Sequence, residues 1–262
     1  MTIDCILFYG GADLDLLKLR LAEHSKFVDR FLICETQQDF HGQSKLEHGG
    51  QITRLMADYD ITYRALYEWP ADLLTPFDKS NYWRNYIKFL LDYYMKAQPN
   101  DTIIFTDLDE ILNPKMWNYT PDMGLMAVEL KLYYYFVNLS AGGMWYNGFV
   151  APYGFVKDKD VTDLRYNNSR RKHPAGILRN AGWHFAWLGG KEVIRDKFRN
   201  FGAAEGWNPA LASDEYIDHI LRDRILFSNS QPLELVPIDS SYPDELRFNS
   251  GKYLKFLYDI EK

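Results

Sequence analysis

The sequence predicts an α/β protein with a Rossmann-type, nucleotide-binding first half and a second half built on a mixed sheet. Three observations carry this. Short runs rich in Ile, Leu, Val and Phe alternate with helical patterns up to residue 113. One of them, Asp101-Thr-Ile-Ile-Phe-Thr-Asp107-Leu-Asp109-Glu110-Ile-Leu-Asn-Pro114, ends in a corner of carboxylates, where open α/β sheets place their ligands. Past Pro114 the alternation gives way to longer, aromatic runs. One domain over 1–262 is expected, with halves 1–113 and 114–262.

In chain order, Ile3–Tyr9 reads as a strand broken by Gly10-Gly11. Asp13–His24 follows as a helix, with Leu14, Leu17 and Leu21 at helical spacing. Phe27–Cys34 is a second strand ending in Glu35-Thr36, so a βαβ unit opens the chain. A polar loop from Gln37 to Gly50 leads to a helical piece near Gln51–Asp58 and a strand over Ile61–Tyr67. A Pro-bounded linker, Trp69–Pro76, precedes a helix over Asn81–Met95. Tyr82, Tyr86, Phe89, Leu90 and Tyr93 cover one side of it, and Arg84 and Lys88 another. In the second half, strands are expected within Gly124–Leu139, Met144–Tyr153 and Ala175–Leu178. Lys157–Lys172 is polar enough to read as a surface excursion. Helices follow over Lys191–Phe198 and Ser213–Asp223, the latter with Ser213 as N-cap. The tail from Ser228 is short and Pro-broken.

The unalternating run Ile103-Ile104-Phe105 reads as a central strand buried on both faces. Asp107 and Asp109, two apart, point the same way in a continuing strand, and a turn would bring both onto one cation. Mg²⁺ or Mn²⁺ takes such oxygen donors and leaves positions open for phosphate oxygens. The competing reading is that strand-end aspartates in a chain with 36 acidic residues merely cap turns.

Composition narrows the classes. Hydrophobic residues at 47% and charged residues at 25% are ordinary globular values. A net charge of −6, with no basic stripe beyond Arg170-Arg171-Lys172, weighs against nucleic acid as a partner. Cys5 and Cys34, both in apolar runs, read as buried free thiols rather than a disulfide or zinc site. No apolar run approaches the about 18 residues of a membrane span, so a soluble, cytoplasmic protein is expected. The 16% aromatic content, 19 Tyr, 16 Phe and 7 Trp, suits sugar rings as well as a core.

Leu14-Asp-Leu-Leu-Lys-Leu-Arg20-Leu-Ala-Glu23, Val28-Asp29-Arg-Phe31 running into Cys34-Glu35, then Gly42 and Lys45-Leu46, resemble the N-terminal signature of glycosyltransferase family 17. Thr106-Asp107-Leu-Asp109-Glu110-Ile111 resembles its DxDE-I box, and Ala181-Gly182-Trp183-His184 its GWH box. That family includes the β-1,4-mannosyl-glycoprotein N-acetylglucosaminyltransferases. The resemblance implies a GT-A-like fold and an inverting transfer from a nucleotide-sugar, UDP-GlcNAc, to a glycan acceptor. Asp107 and Asp109 would hold Mn²⁺ (or Mg²⁺), with His184 as a further metal or phosphate contact. Its bland alternative is a histidine packed between Trp183 and Phe185.

Within this picture Glu35, Lys45 and Arg84 are candidates for donor binding, with turn capping or surface ion pairing as their alternatives. Inversion requires a carboxylate to take the acceptor hydroxyl's proton. Glu205 is the first choice and Asp214 the second. Family members carry a His-x-Glu-like sequence where this chain has Ala203-Ala204-Glu205. Trp207, Trp187 and Tyr146 are candidate platforms for the acceptor sugar, with core packing as the equal alternative for each. The rival readings are another nucleotide-sugar donor, a binding protein without catalysis, and a phosphotransferase or phosphohydrolase, for which no GxxxxGK[ST] loop is present.

Overall fold

The computed structural model describes residues 1–10, 13–169, 176–200 and 208–259. Its first half alternates strand and helix as the sequence predicts: β1 Thr2–Phe8, α1 Asp13–His24, β2 Arg30–Thr36, α2 Gly49–Leu55, β3 Ile61–Leu66, α3 Pro76–Leu90 and β4 Thr102–Phe105. These four strands are parallel, in the order β4-β1-β2-β3. All of β4 is buried, as its unalternating apolar run requires. Leu16, Leu17, Leu19 and Leu21 of α1 pack on one face of the sheet, and Trp83, Ile87 and Leu90 of α3 on the other.

Two boundaries differ from the expectation. β2 begins at Arg30 and carries Glu35 and Thr36 inside the strand. α3 begins at Pro76 rather than Asn81, because Thr75 caps it: the Asp78 amide donates to the Thr75 side chain, and the Asp78 carboxylate reaches back. Pro at the first helical position is preset for helix. A single π turn, Leu91–Met95, closes the segment.

Past β4 the chain turns through Asp107–Asp109 into β5 Glu110–Leu112, then β6 Met126–Tyr134, β7 Leu139–Trp145 and β8 Phe149–Pro152. β8 pairs antiparallel with β4, so hydrogen bonding runs continuously from the first half into the second. The helices α4 Tyr153–Val156 and α5 Val161–Ser169 follow, then the long strand β9 Gly176–Ala186. β9 pairs parallel with β6 and antiparallel with β5. The sequence reading ended this strand at Leu178; it runs on through the whole Gly182-Trp183-His184 box. α6 Lys191–Asn200, α7 Asp214–Arg222, β10 Glu234–Leu235 and α8 Asp244–Phe248 complete the chain. Ser213 caps α7 as expected, accepting from the Tyr216 amide.

Among the described residues the result is a mixed α/β architecture on one 10-stranded sheet. One expectation is corrected: over its described part, 157–169, the polar stretch is not a mere surface excursion, since α5 buries Val161, Leu164 and Arg165. In the tail, Leu246, Tyr253 and Phe256 belong to the core under α1. Both thiols are buried and free, as predicted. Among the described residues no helix is long and apolar enough to cross a membrane.

Candidate functional site

The acidic corner is a turn, not a continued strand. The Glu110 amide donates to the Asp107 carbonyl at 2.9 Å, folding Asp107-Leu108-Asp109 back into β5. Leu108 is buried and anchors the bend in the core. The two aspartates lie at the rim, with side chains 33% and 16% exposed, while Glu110 is fully buried. Their roles divide accordingly.

Glu110 is saturated. Its Oε1 accepts from Trp145 Nε1 at 2.6 Å and from an Arg165 terminal nitrogen at 3.0 Å. Its Oε2 accepts from the other Arg165 terminal nitrogen at 3.1 Å and from the Asp107 amide at 2.8 Å. A carboxylate so engaged positions the turn and has no room for an added ligand. The Gly148 backbone lies tight against it: a Cβ there would sit 2.6 Å from Thr106 and 3.1 Å from the Glu110 carboxylate.

Asp107 faces cations. Arg165 donates to its Oδ2 at 2.7 Å and Arg84 stands 3.5 Å away. Burial raises the Asp107 pKa, but Arg165 and Arg84 outweigh it and hold the carboxyl below its ordinary value, with Asp109 opposing them. Asp109 stands 3.5 Å from His184 Nε2 and 3.6 Å from Lys197 Nζ. Burial again opposes ionisation, and His184 and Lys197 overcome it, holding Asp109 well below the usual carboxylate range.

His184 reaches this position because β9 pairs with β5, setting His184 opposite Glu110 and Trp183 opposite Ile111. The glycine of the box is required by close approach: a Cβ on Gly182 would lie 2.0 Å from the Ile111 carbonyl oxygen. Trp183 and Phe185 turn into the core, and His184 lies against the Trp145 ring, centroids 4.7 Å apart. Its Nδ1 is buried with no hydrogen-bond partner among the described residues.

The other predicted residues divide between this corner and a second cluster. Glu35, at the end of β2, is fully buried. It accepts from the His48 ring at 2.8 Å, the His48 amide at 3.2 Å and the Tyr63 hydroxyl at 2.6 Å. It therefore shapes the carboxyl edge of the sheet through His48 and Tyr63 rather than offering a free carboxylate. Lys45 lies over the Tyr9 ring at 3.7 Å, bonds the Tyr9 carbonyl and donates to Thr36 Oγ1 at 2.9 Å. Arg84 belongs to the acidic corner. Asp214, exposed at the start of α7, pairs with Arg195 and approaches Lys191 at 4.0 Å, both on the helix that brings Lys197 to Asp109. Glu205 and Trp207 lie outside the described residues. Tyr146 is half-buried and donates to Glu129 at 3.0 Å. Trp187 is buried between Phe198 and Phe227, which makes it core rather than a sugar platform.

Arg165, Lys197 and Trp145 escaped the sequence reading. For the helix that carries Arg165 a signal existed, since Asp160 caps α5 by accepting from the Asp163 amide and Val161 and Leu164 lie one helical turn apart, but nothing local marks the arginine itself as buried.

As for a metal, the chemistry of the donor set fits a hard divalent ion. Two carboxylates are kept ionised at the rim of a turn, and such ions are commonly held by one or two carboxylates plus substrate phosphates. Among the described residues no cluster of three or more His, Cys, Asp or Glu forms a cage.

An acidic turn flanked by two arginines, a lysine and a histidine at the carboxyl ends of parallel strands defines an α/β protein equipped for an anionic, oxygen-rich ligand. The chain belongs to glycosyltransferase family 17, whose family model matches residues 1–198, and it is accordingly a glycosyltransferase. The match takes in the turn, the Gly182-Trp183-His184 box and Lys197. No curated protein matches the chain. Among solved structures, 4-diphosphocytidyl-2C-methyl-D-erythritol synthase shares 12% identity at a TM-score of 0.40, over 67% of this chain and 87% of that one.

Proposed function

We propose that the chain is a metal-dependent, inverting glycosyltransferase of GT-A type, a single domain that moves GlcNAc from UDP-GlcNAc to a hydroxyl of a glycan acceptor. The observation that carries this reading is the pair of ionised carboxylates, Asp107 and Asp109, ringed by Arg165, Arg84, Lys197 and His184. Mn²⁺ or Mg²⁺ held by Asp107 and Asp109 would supply Lewis-acid neutralisation of the departing diphosphate. Arg84 and Lys197 add fixed positive charge at the same edge, and His184 orients Asp109. Glu35, through His48 and Tyr63, shapes the donor side of the cleft together with Lys45. Glu205 takes the proton of the attacking acceptor hydroxyl, with Asp214 as the alternative base.

The test is a panel of donors. Thermal stability is followed with UDP-GlcNAc, UDP-Gal, UDP-Glc and GDP-Man, each with and without Mn²⁺. A ligand that binds only the folded state stabilises it, by about 2.7 kcal/mol at a hundred times its Kd. The expected result is a metal-dependent rise, largest with UDP-GlcNAc. A larger rise with another sugar would reassign the donor. If no UDP-sugar gives a metal-dependent rise, the reading fails.

A further inference from the structure

One group binds the acidic turn to the rest of the fold without reaching the cleft. Arg20, on α1, is fully buried, and every nitrogen of its guanidinium is directed. Nε and one terminal nitrogen form a fork on the Asp4 carboxylate, at 2.9 and 2.6 Å. That second nitrogen also donates to Thr106 Oγ1 at 2.7 Å. The other terminal nitrogen donates to the Asp107 carbonyl at 2.6 Å and to the Glu110 carbonyl at 3.0 Å. The guanidinium thus spans the first and last residues of the turn from beneath.

A neighbour completes the bracket. His24 Nδ1 lies 2.7 Å from Asp4, and its Nε2 accepts from the Leu112 amide at 2.8 Å. Since Nε2 accepts, the proton sits on Nδ1, and the neutral ring joins Asp4 to β5. One buried carboxylate on β1 therefore orients two side chains of α1, which between them hold the backbone at 107, 110 and 112 and the Thr106 hydroxyl. A generic buried ion pair needs only mutual satisfaction, and replacing such a pair by apolar groups is often neutral for stability. Here three of the five guanidinium bonds go to the turn instead.

We infer that Arg20 is a positioning residue for glycosyl transfer: oriented by Asp4, it fixes the backbone of the Asp107–Glu110 turn and so the spacing of the two rim carboxylates. The inference rests on the assignment of that turn as the donor-diphosphate site. Lysine cannot replace the arginine, because one ammonium has no planar fork with which to hold Asp4 and two carbonyls together.

Two variants of the full chain test it. Arg20→Lys keeps the charge against Asp4; Arg20→Met with Asp4→Asn removes both charges and keeps an acceptor for His24. Val156→Ala, in α4, serves as a destabilised control away from the turn. Amide hydrogen exchange over residues 106–112 and the affinity for UDP with MnCl₂ are measured well below each melting temperature. The expected result is faster exchange confined to that segment in both variants, with UDP–Mn²⁺ binding weakened about tenfold, the scale seen when groups behind a ligand shell are lost. The control should change neither. Unaltered exchange over 106–112 in both variants overturns the proposal, as does faster exchange with wild-type UDP–Mn²⁺ affinity. If the wild type binds no UDP with Mn²⁺ while exchange at the turn rises in the variants, the donor-site reading fails and the role of Arg20 in holding the turn stands.

Discussion

Two acidic clusters sit at the carboxyl ends of parallel strands, and they are built in opposite ways. At the end of β2, Glu35 is wholly buried and meets hydrogen-bond donors from His48 and Tyr63. At the end of β4, Asp107 and Asp109 stand at the rim and meet guanidinium, ammonium and imidazole groups. The first arrangement satisfies a carboxylate so that it supports its neighbours. The second keeps two carboxylates charged and within reach of a ligand. Position at a strand end is therefore shared by a structural acid and a candidate working pair, and only the partners tell them apart.

Glu110 shows both patterns at one turn, and breaking it should produce the largest effect. Arg165→Ala leaves the buried Glu110 carboxylate without its guanidinium and removes the direct partner of Asp107. Breaking a buried pair from one side costs about 3–5 kcal/mol. Urea unfolding should register a loss of that order. A loss under about 1 kcal/mol would mean that Trp145 and the Asp107 amide suffice for Glu110.

Next comes the rim. Asp109→Asn preserves shape and removes one charge, so the protein should fold with near-native stability. Release of UDP from UDP-GlcNAc in the presence of Mn²⁺ should fall by about 10²–10³-fold, the scale for losing one preorganised electrostatic group at a reacting centre. Activity within a few-fold of wild type would move the working carboxylate elsewhere.

Glu35→Gln sharpens the contrast from the other side. Glutamine keeps one acceptor oxygen and puts a donating NH₂ in place of the other, so the donor facing that position, from His48 or Tyr63, loses its acceptor, at about 1–3 kcal/mol. Stability should fall by that amount, while turnover at saturating donor changes far less than in Asp109→Asn. A turnover loss as large as that of Asp109→Asn, at unchanged stability, would make Glu35 a direct participant.

The same contrast explains what the sequence could and could not reveal. Leucine spacing in α1, the apolar run of β4 and the Ser213 cap are local signals, and the folded elements follow them. The parallel order of the first half followed from strand–helix alternation. Arg165 was hidden because a charged residue in a polar stretch reads as solvated, and its burial depends on Glu110, 55 positions away. The role of Arg20, within a leucine-rich helix, was hidden because its turn contacts lie 86 to 90 positions off. For Trp187 the sequence leaves sugar platform and core packing equally open, because aromatic residues look alike until their neighbours are known; the structure places it in the core. Charge pairing across the fold is thus the part of the site that a single sequence conceals.

The smallest expected effect is a difference in acid stability. Asp109 is held below its ordinary carboxylate value, burial notwithstanding, by His184 and Lys197. In the unfolded chain an aspartate takes up its proton near pH 3.9. Between that pH and the lower folded value the unfolded state binds more protons, so stability falls as pH falls. The contribution is fully present above about pH 4 and is lost on acidification through the folded value. Because the Asp109 side chain is partly exposed, salt should weaken the effect. Urea midpoints measured from pH 5 to about pH 2.5 should therefore fall less steeply for Asp109→Asn than for wild type, and the gap should narrow in 1 M NaCl, where screening acts within about 3 Å. Equal slopes for the two proteins would show that His184 and Lys197 exert no net hold on Asp109, which would remove the electrostatic distinction between the rim of β4 and the buried end of β2.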